Sequence, residues 1–282
     1  MDNRDANTGM LYICATPIGN LEDISLRVLR VLREVDVIAA EDTRHTRKLL
    51  SHYEISTPLT SYHEHNKLAV TPQLVNKLCG GQAVALVSDA GMPGISDPGQ
   101  ELVAACHENG IAVTICPGAT AGVAGLVLSG ICSKRYVFEG FLPRNKKDRR
   151  KALEGLASES RTIVLYEAPH RLCATLSDMA DFLDDRQVAV VREITKKFEE
   201  IRKGLAIELV EHYKGNPPRG EFVLVIEGGR SAENTADWPE DLADHVRAYL
   251  SDGVSEMEAM KMVAKARGIS KSEVYSVYKI MK

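Results

Sequence analysis

The chain has 282 residues, 44% hydrophobic and 26% charged, which excludes a disordered or fibrous protein and allows a core large enough for two domains. Aromatic residues make up only 5%, with a single Trp, so no broad platform for stacking bases is present. The net charge of −4 hides two basic segments: Arg144–Lys151 holds six basic residues and one acid, and Ala259–Lys282 holds six against Glu273 alone. Such segments suit local contact with a polyanion rather than general affinity for one.

Six cysteines lie scattered with no C-x-x-C pair, which argues against a disulfide framework and a cysteine zinc site. The longest apolar stretches, such as Ile111–Ile115 and Ala121–Leu128, are too short to cross a bilayer. The polar first ten residues lack a signal peptide's apolar core. These features lead us to expect a soluble, cytoplasmic protein with no membrane partner.

In chain order, Leu11–Ala15 reads as a strand, Thr16–Asn20 as a turn, and the apolar spacing from Ile24 to Leu32 as a helix. Val35–Ala40 is the next strand, ending at Glu41-Asp42-Thr43-Arg44, with a short helix expected over Thr46–Tyr53. Ser61–His65 is polar and ambiguous, and Leu68–Cys79 is helical. Ala83–Val87 reads as a buried strand before the Gly- and Pro-rich loop Ser88–Gly99. The helix Gln100–Asn109, the strand Ile111–Cys116, the turn Pro117–Thr120 and the small-residue helix Ala121–Leu128 follow. This alternation predicts a mostly parallel sheet with helices on both faces.

From Tyr136 the pattern changes. Strands are expected at Tyr136–Phe141, Thr162–Tyr166 and Gln187–Arg192, with Phe198–Gly204 and Phe222–Glu227 pairing antiparallel around a helix at Ala206–Tyr213. The expected organisation is α/β throughout: an N-terminal domain over residues 1–134 and a second over 135–228. A linker at 229–239 then leads to a helical, helix-turn-helix-like extension over 240–282. In that extension two short helices, Val254–Val263 and Ser270–Tyr278, meet at Arg267-Gly268-Ile269.

Three loops, Thr16–Asn20, Ser88–Gly99 and Pro117–Thr120, follow three strands of the first half. In an open parallel sheet ligands bind beyond the carboxyl ends of the strands, so three loops there imply a shared pocket better than three isolated turns do. No G-x-G-x-x-G follows the first strand and no P-loop occurs, which counts against nicotinamide and nucleoside-triphosphate enzymes. The blocks TPIGNLEDIS, AAEDTRHT, VSDAGMPGISDPG, CPGAT, YEAPHR and GEFVLVIEG, in this order, resemble the tetrapyrrole-methylase superfamily. Within it they resemble the branch that methylates the ribose 2′-hydroxyl of a cytidine in small-subunit (16S) ribosomal RNA.

That resemblance implies S-adenosylmethionine as cofactor, no metal, a cleft between two α/β domains, a homodimer, and ribosomal RNA of the small subunit as partner. Carried onto this chain, it places Pro17 and Gly19 in a first cofactor loop and Asp89, Ala90, Gly91 and Met92 in a second. Gly118, Ala119 and Thr120 form a third, and Tyr166, Glu167 and Ala168 with Gly220, Glu221 and Phe222 contribute from the second domain. The first loop departs from the family's glycine-rich pattern, since it reads TPIGN.

A ribose hydroxyl needs its proton removed or polarised before it attacks a methyl group. Glu41 or Asp42 is the candidate acceptor or positioning group, with Arg44 beside them for a flanking phosphate; a strand-end ion pair is the competing reading. His63 and His65, on one face if extended, are a reserve base, and two histidines without a third ligand do not make a metal site. Arg144, Lys146, Lys147, Arg149, Arg150 and Lys151 are candidate contacts to RNA phosphates. The basic extension is either a second RNA contact or a structural cap. Two other functions stay open: methylation of a porphyrinoid on the same scaffold, and non-catalytic RNA binding or ribosome assembly.

Overall fold

Strands that are apolar at every position must be covered on both faces, and the first half of the chain supplies such strands. The computed structural model describes residues 9–183, 185–229, 239, 241–251, 253–267 and 269–280. The polar segment 1–8, most of the 229–239 linker and Gly268 therefore lie outside the described residues. In the first half β1 (Met10–Cys14), α1 (Leu26–Glu34), β2 (Val37–Ala40), α2 (Thr43–His52), β3 (Leu59–Ser61), α3 (Lys67–Cys79), β4 (Val84–Val87), α4 (Gln100–Glu108) and β5 (Ala112–Cys116) alternate. The strands pair in the order β3-β2-β4-β1-β5, every pair parallel.

Both central strands β2 and β4 are buried along their whole length. On one face Leu11, Val37 and Leu86 meet Leu74, Leu78 and Leu102 of α3 and α4. On the other, Ile38, Ala40 and Val87 meet Val28 and Leu32 of α1 and Leu50 of α2. The expected parallel sheet with two helical layers is therefore present. Helix α2 begins three residues earlier than its periodicity suggests, because the Asp42 carboxylate accepts from the Arg44 N–H at 2.8 Å and caps it.

After α5 (Ala121–Ser129) come β6 (Tyr136–Phe141), α6 (Lys146–Leu156), β7 (Thr162–Glu167), α7 (Pro169–Phe182), β8 (Gln187–Arg192), β9 (Glu200–Leu205), α8 (Ala206–Gly215) and β10 (Phe222–Ile226). Their order is β6-β7-β10-β8-β9; β6 and β7 run parallel, and the remaining pairs are antiparallel. Here the expected pairing of the 198–204 and 222–227 strands gives way. β10 is buried at every position and takes the centre between β7 and β8. β9, exposed at alternate positions along most of its length, takes the edge beside β8.

Leu153, Leu172, Leu176 and Leu209 bring α6, α7 and α8 onto one face of this second sheet. The other face is covered by α5, whose Leu126 packs with Val164, Ala189, Val191, Val223 and Val225. Residues to Gly228 form one compact unit, and those from Gly229 form another. In the latter, α9 (Leu242–Ser251), α10 (Glu256–Arg267) and α11 (Lys271–Ile280) surround Val246, Ala259, Val263 and Val274. The helix α9 adds a third member to the two expected there. Ser270 opens α11 with a capping box, accepting from the Glu273 N–H at 3.2 Å while its own N–H donates to the Glu273 carboxylate at 2.9 Å. Among the described residues no helix is long and apolar enough to cross a membrane.

The approach of α5 to the second sheet depends on glycine. A Cβ on Gly125 would stand 2.7 Å from Val223 Cγ1, whereas one on Gly155 of α6 would meet nothing within 4 Å. The same substitution should then act in opposite directions. Gly125→Ala is expected to lower stability by about 1–3 kcal/mol through overpacking. Gly155→Ala should raise it by roughly 0.5–1 kcal/mol through helix propensity. Urea titrations of the two variants against the parent measure both signs.

Candidate functional site

Because the first sheet is parallel, the turns after β1, β2, β4 and β5 leave it at one edge. A reciprocal backbone bridge joins the first and third turns: Thr16 N–H donates to Gly91 O at 2.8 Å, and Gly91 N–H to Thr16 O at 3.1 Å. The second and third turns are cross-linked as well. The Asp89 N–H donates to the Glu41 carboxylate at 3.4 Å, and the Asp42 N–H to the Asp89 carboxylate at 3.1 Å. Between this edge and the second sheet lies a cavity of about 360 Å³, within the ordinary range for a small-molecule site.

All four residues Asp89–Met92 line the cavity, together with Glu41, Thr120, Tyr166, Glu167, Ala168, Glu221 and Phe222. Five other expected cofactor residues do not line it. Gly118 packs against Ala15, where a Cβ would come within 2.8 Å of the Ala15 Cβ, and Ala119 stands behind Gly91. Pro17 and Gly19 face a second cavity. Gly220 admits the Glu193 carboxylate, which accepts from the Glu221 N–H at 3.0 Å. Ile18, Ile95, Ser96, Asp97, Phe141, Ile194 and Val223 also line the first cavity, and the sequence reading did not single them out. For Asp97 a signal existed, since Ser96-Asp97 repeats Ser88-Asp89 in the same loop.

Five carboxylates and no Lys, Arg or His side chain line this cavity. Two of the five are already engaged. Glu167 accepts from the Thr175 hydroxyl at 2.5 Å and pairs with Arg171 at 3.2 Å, and Glu221 pairs with Lys196 at 3.0 Å. Glu41, Asp89 and Asp97 remain without an ion pair among the described residues. Burial pushes the Asp97 carboxyl up to about 7, helped by the nearby Glu41 and Asp89 charges and opposed by a hydrogen bond from Ser88. Burial likewise raises Glu41; the Asp89 N–H and His63 oppose that rise, and the Asp89 charge adds to it. Asp42 behaves oppositely: its hydrogen bonds from the exposed Arg44 hold it well below the usual carboxylate range.

His63 and His65 are not extended. The His63 N–H and the Asn66 side chain close a turn at 2.8 Å ahead of α3, and the two rings stand 6.1 Å apart. The His63 Nδ1 is buried without a hydrogen-bond partner. Among the described residues no group of three or more His, Cys, Asp or Glu is placed to hold a metal.

The basic run is not uniformly open. Arg149 is buried and pairs with Asp178 at 2.7 Å, and Arg150 pairs with Asp178 at 3.0 Å and also with Asp181. These two guanidiniums tie α6 to α7 and are not free for a phosphate. Arg144, Lys146, Lys147 and Lys151 are exposed.

The proton on Asp97 has a thermodynamic signature. An unfolded Asp ionises near its ordinary value of about 4, while the folded group holds its proton to about 7. Between these values unfolding releases a proton, so stability falls as pH rises. Asp97→Asn cannot ionise and escapes that loss. The melting temperature of Asp97→Asn minus that of the parent should therefore increase from pH 4 to pH 8 and then level off. A constant difference would mean that Asp97 titrates normally.

Comparison with known proteins fits this geometry. Residues 10–210 match the family of tetrapyrrole (corrin/porphyrin) methylases. The chain is 48% identical over 270 residues to the ribosomal RNA small subunit methyltransferase I of Synechocystis sp., covering 95% of this chain and 97% of the relative. It is 47% identical over 282 residues to the protein of the same name from Bacillus subtilis, covering 99% and 97%. Among solved structures, diphthine synthase aligns with a TM-score of 0.61 at 14% identity over 78% of this chain and 90% of that one. The uroporphyrin-III-C-methyltransferase of Thermus thermophilus aligns at 0.55 and 20% identity over 78% and 92%. At such identities these two likenesses speak to the fold alone. The chain belongs to the tetrapyrrole (corrin/porphyrin) methylase family.

Proposed function

We propose that the protein is an S-adenosylmethionine-dependent methyltransferase that methylates the 2′-hydroxyl of a cytidine ribose in small-subunit ribosomal RNA. It would act in the cytoplasm as a homodimer. The observation that carries the choice of cofactor is the charge of the first cavity, whose lining includes three acids without an ion pair among the described residues, Glu41, Asp89 and Asp97, and no basic side chain. Half-buried carboxylates without a counter-ion are costly, and a ligand with a positive sulfur and an ammonium group relieves that cost. A porphyrinoid bearing carboxylate arms would add to it, which disfavours the same-scaffold alternative for this cavity. When bound, such a cofactor supplies a methyl group already activated by its positively charged sulfur.

The chain's own residues then have separable tasks. Asp89–Met92, Thr120 and Phe222 form walls, with Tyr166 held in place by the Gly122 N–H at 3.0 Å and by Phe138 and Phe141 rings at 5.0 and 5.5 Å. Asp97 and Asp89 compensate positive charge. Glu41 takes or orients the hydroxyl proton: burial raises its affinity for a proton, which makes it a stronger base than an ordinary exposed carboxylate. Asp42 is a poor base because Arg44 and the start of α2 already claim its carboxylate. Non-catalytic RNA binding is disfavoured because it offers no use for unpaired acids in a cavity.

Transfer of a labelled methyl group from S-adenosylmethionine to unmodified small-subunit ribosomal RNA, followed by mapping of the product, tests the reaction. In single-turnover assays Glu41→Gln should lower the rate by about a hundredfold, the lower end for general-base assistance. Asp42→Asn should leave it within a few-fold, since Asn also caps a helix. Equal rates for Glu41→Gln and the parent would remove Glu41 from the chemistry and turn attention to His63.

A further inference from the structure

Beside the first cavity lies a second, of about 510 Å³. The two share Ile18, Asp89, Ala90 and Glu221 as wall residues, so a ligand in one is a neighbour of a ligand in the other. The walls of the second differ in kind, with Leu21 and Leu49 offering apolar surface and Lys48 and Lys196 positive charge. Lys196 is held by Glu193 and Glu221 at 3.0 Å each. Lys48 is exposed and has no ion pair among the described residues.

Lys48 also sits on an unusual helix. α2 carries Arg44, Arg47 and Lys48 with two histidines and no acid. Arg44 is spent on Asp42, while Arg47, like Lys48, is exposed and unpaired among the described residues. The helix starts two residues after Glu41, and at 1.5 Å per residue Lys48 lies about 9 Å along its axis from the Asp42 cap. A strand of RNA whose ribose reached Glu41 would pass a phosphate near it.

Resting on the reading of the protein as a ribose methyltransferase, we propose that the second cavity receives the acceptor nucleotide of the RNA and that Lys48 on α2 holds its phosphodiester. α2, rather than the denser basic run of α6, is then the grip nearest the chemistry. The base lies against Leu21 and Leu49, and Lys48 acts as a point charge on the phosphate. Lys48 is a substrate-binding residue that touches the phosphate backbone and no reacting atom.

Binding of fluorescently labelled, unmodified small-subunit ribosomal RNA is measured by anisotropy without methyl donor and across a salt series, and methyl transfer is measured in parallel on naked RNA and on assembled subunits. Lys48→Ala is expected to raise the RNA dissociation constant and KM about tenfold. It should flatten the salt slope by about 0.7, the value of one single-strand phosphate contact, with kcat within twofold. Lys48→Arg should recover most of the loss, and calorimetric affinity for S-adenosylmethionine should not change. Lys146→Ala/Lys147→Ala, which removes exposed charge from α6, should cost less KM than Lys48→Ala alone. An unchanged KM and slope in Lys48→Ala, with an active parent, overturns the assignment, as does a loss confined to kcat. A parent that methylates neither naked RNA nor subunits defeats the functional reading itself, and the proposal falls with it.

Discussion

The closeness of α5 to the second sheet sets the geometry on which the site depends. Gly125 lets the helix backbone settle against Val223, and Gly122 brings its N–H to the Tyr166 hydroxyl. Through this contact the last helix of the first half covers the sheet of the second, with Leu126 among Val164, Val191 and Val225. The carboxyl edge of the parallel sheet is thereby held opposite β7 and β10, and the cavity lies between those two surfaces. A second clasp works at the neighbouring loops. The Asn20 N–H donates to the Thr195 hydroxyl at 3.0 Å, with Gly19 leaving room for Ile194 and Lys196.

Charge is distributed over this framework unevenly, and the unevenness carries the chemistry. The charged residues lining the first cavity are all acids, and the second adds lysines to a partly apolar surface. The two meet at Asp89 and Ala90, in a loop whose backbone is held by Thr16 and Glu41 and whose Asp89 carboxylate accepts from the Asp42 N–H. A cationic donor and an anionic acceptor strand would therefore be sorted to opposite sides of one short loop, and orientation of this sort is a large part of what catalysis needs.

The parallel sheet was legible in the sequence because Val37–Ala40 and Val84–Val87 are apolar at every position, a pattern that only two-sided burial explains. The loop Ser88–Gly99 was legible through its glycines and prolines. The roles within the site were less so, since they depend on partners distant in sequence. Arg149 looks like the centre of a basic patch until Asp178, 29 residues on, is found to neutralise it. Asp97 looks like any loop acid until burial beside Glu41 changes its affinity for a proton. Gly19 and Gly220 were legible as special positions, but what each accommodates is another segment of the chain, Ile194–Lys196 and Glu193 respectively. β9 and β10 exchanged their expected relationship because burial of β10 on both faces places it centrally, which local alternation in β9 could not reveal.

The central position of β10 also orders events during synthesis. The first sheet is complete once Cys116 has been made, and α5 follows at once. The strand that α5 must cover, and that joins β7 to β8, is the last of the ten to leave the ribosome, almost a hundred residues later. At about 5–20 residues per second the nascent chain would carry α5 for several seconds before β10, one of the strands that α5 packs on, is made. It would also hold two strand pairs, β6 with β7 and β8 with β9, that have no shared neighbour. β10 is the central strand of the second sheet, so the wall that Phe222 and Val223 give the cavity is the last part of it to be synthesised.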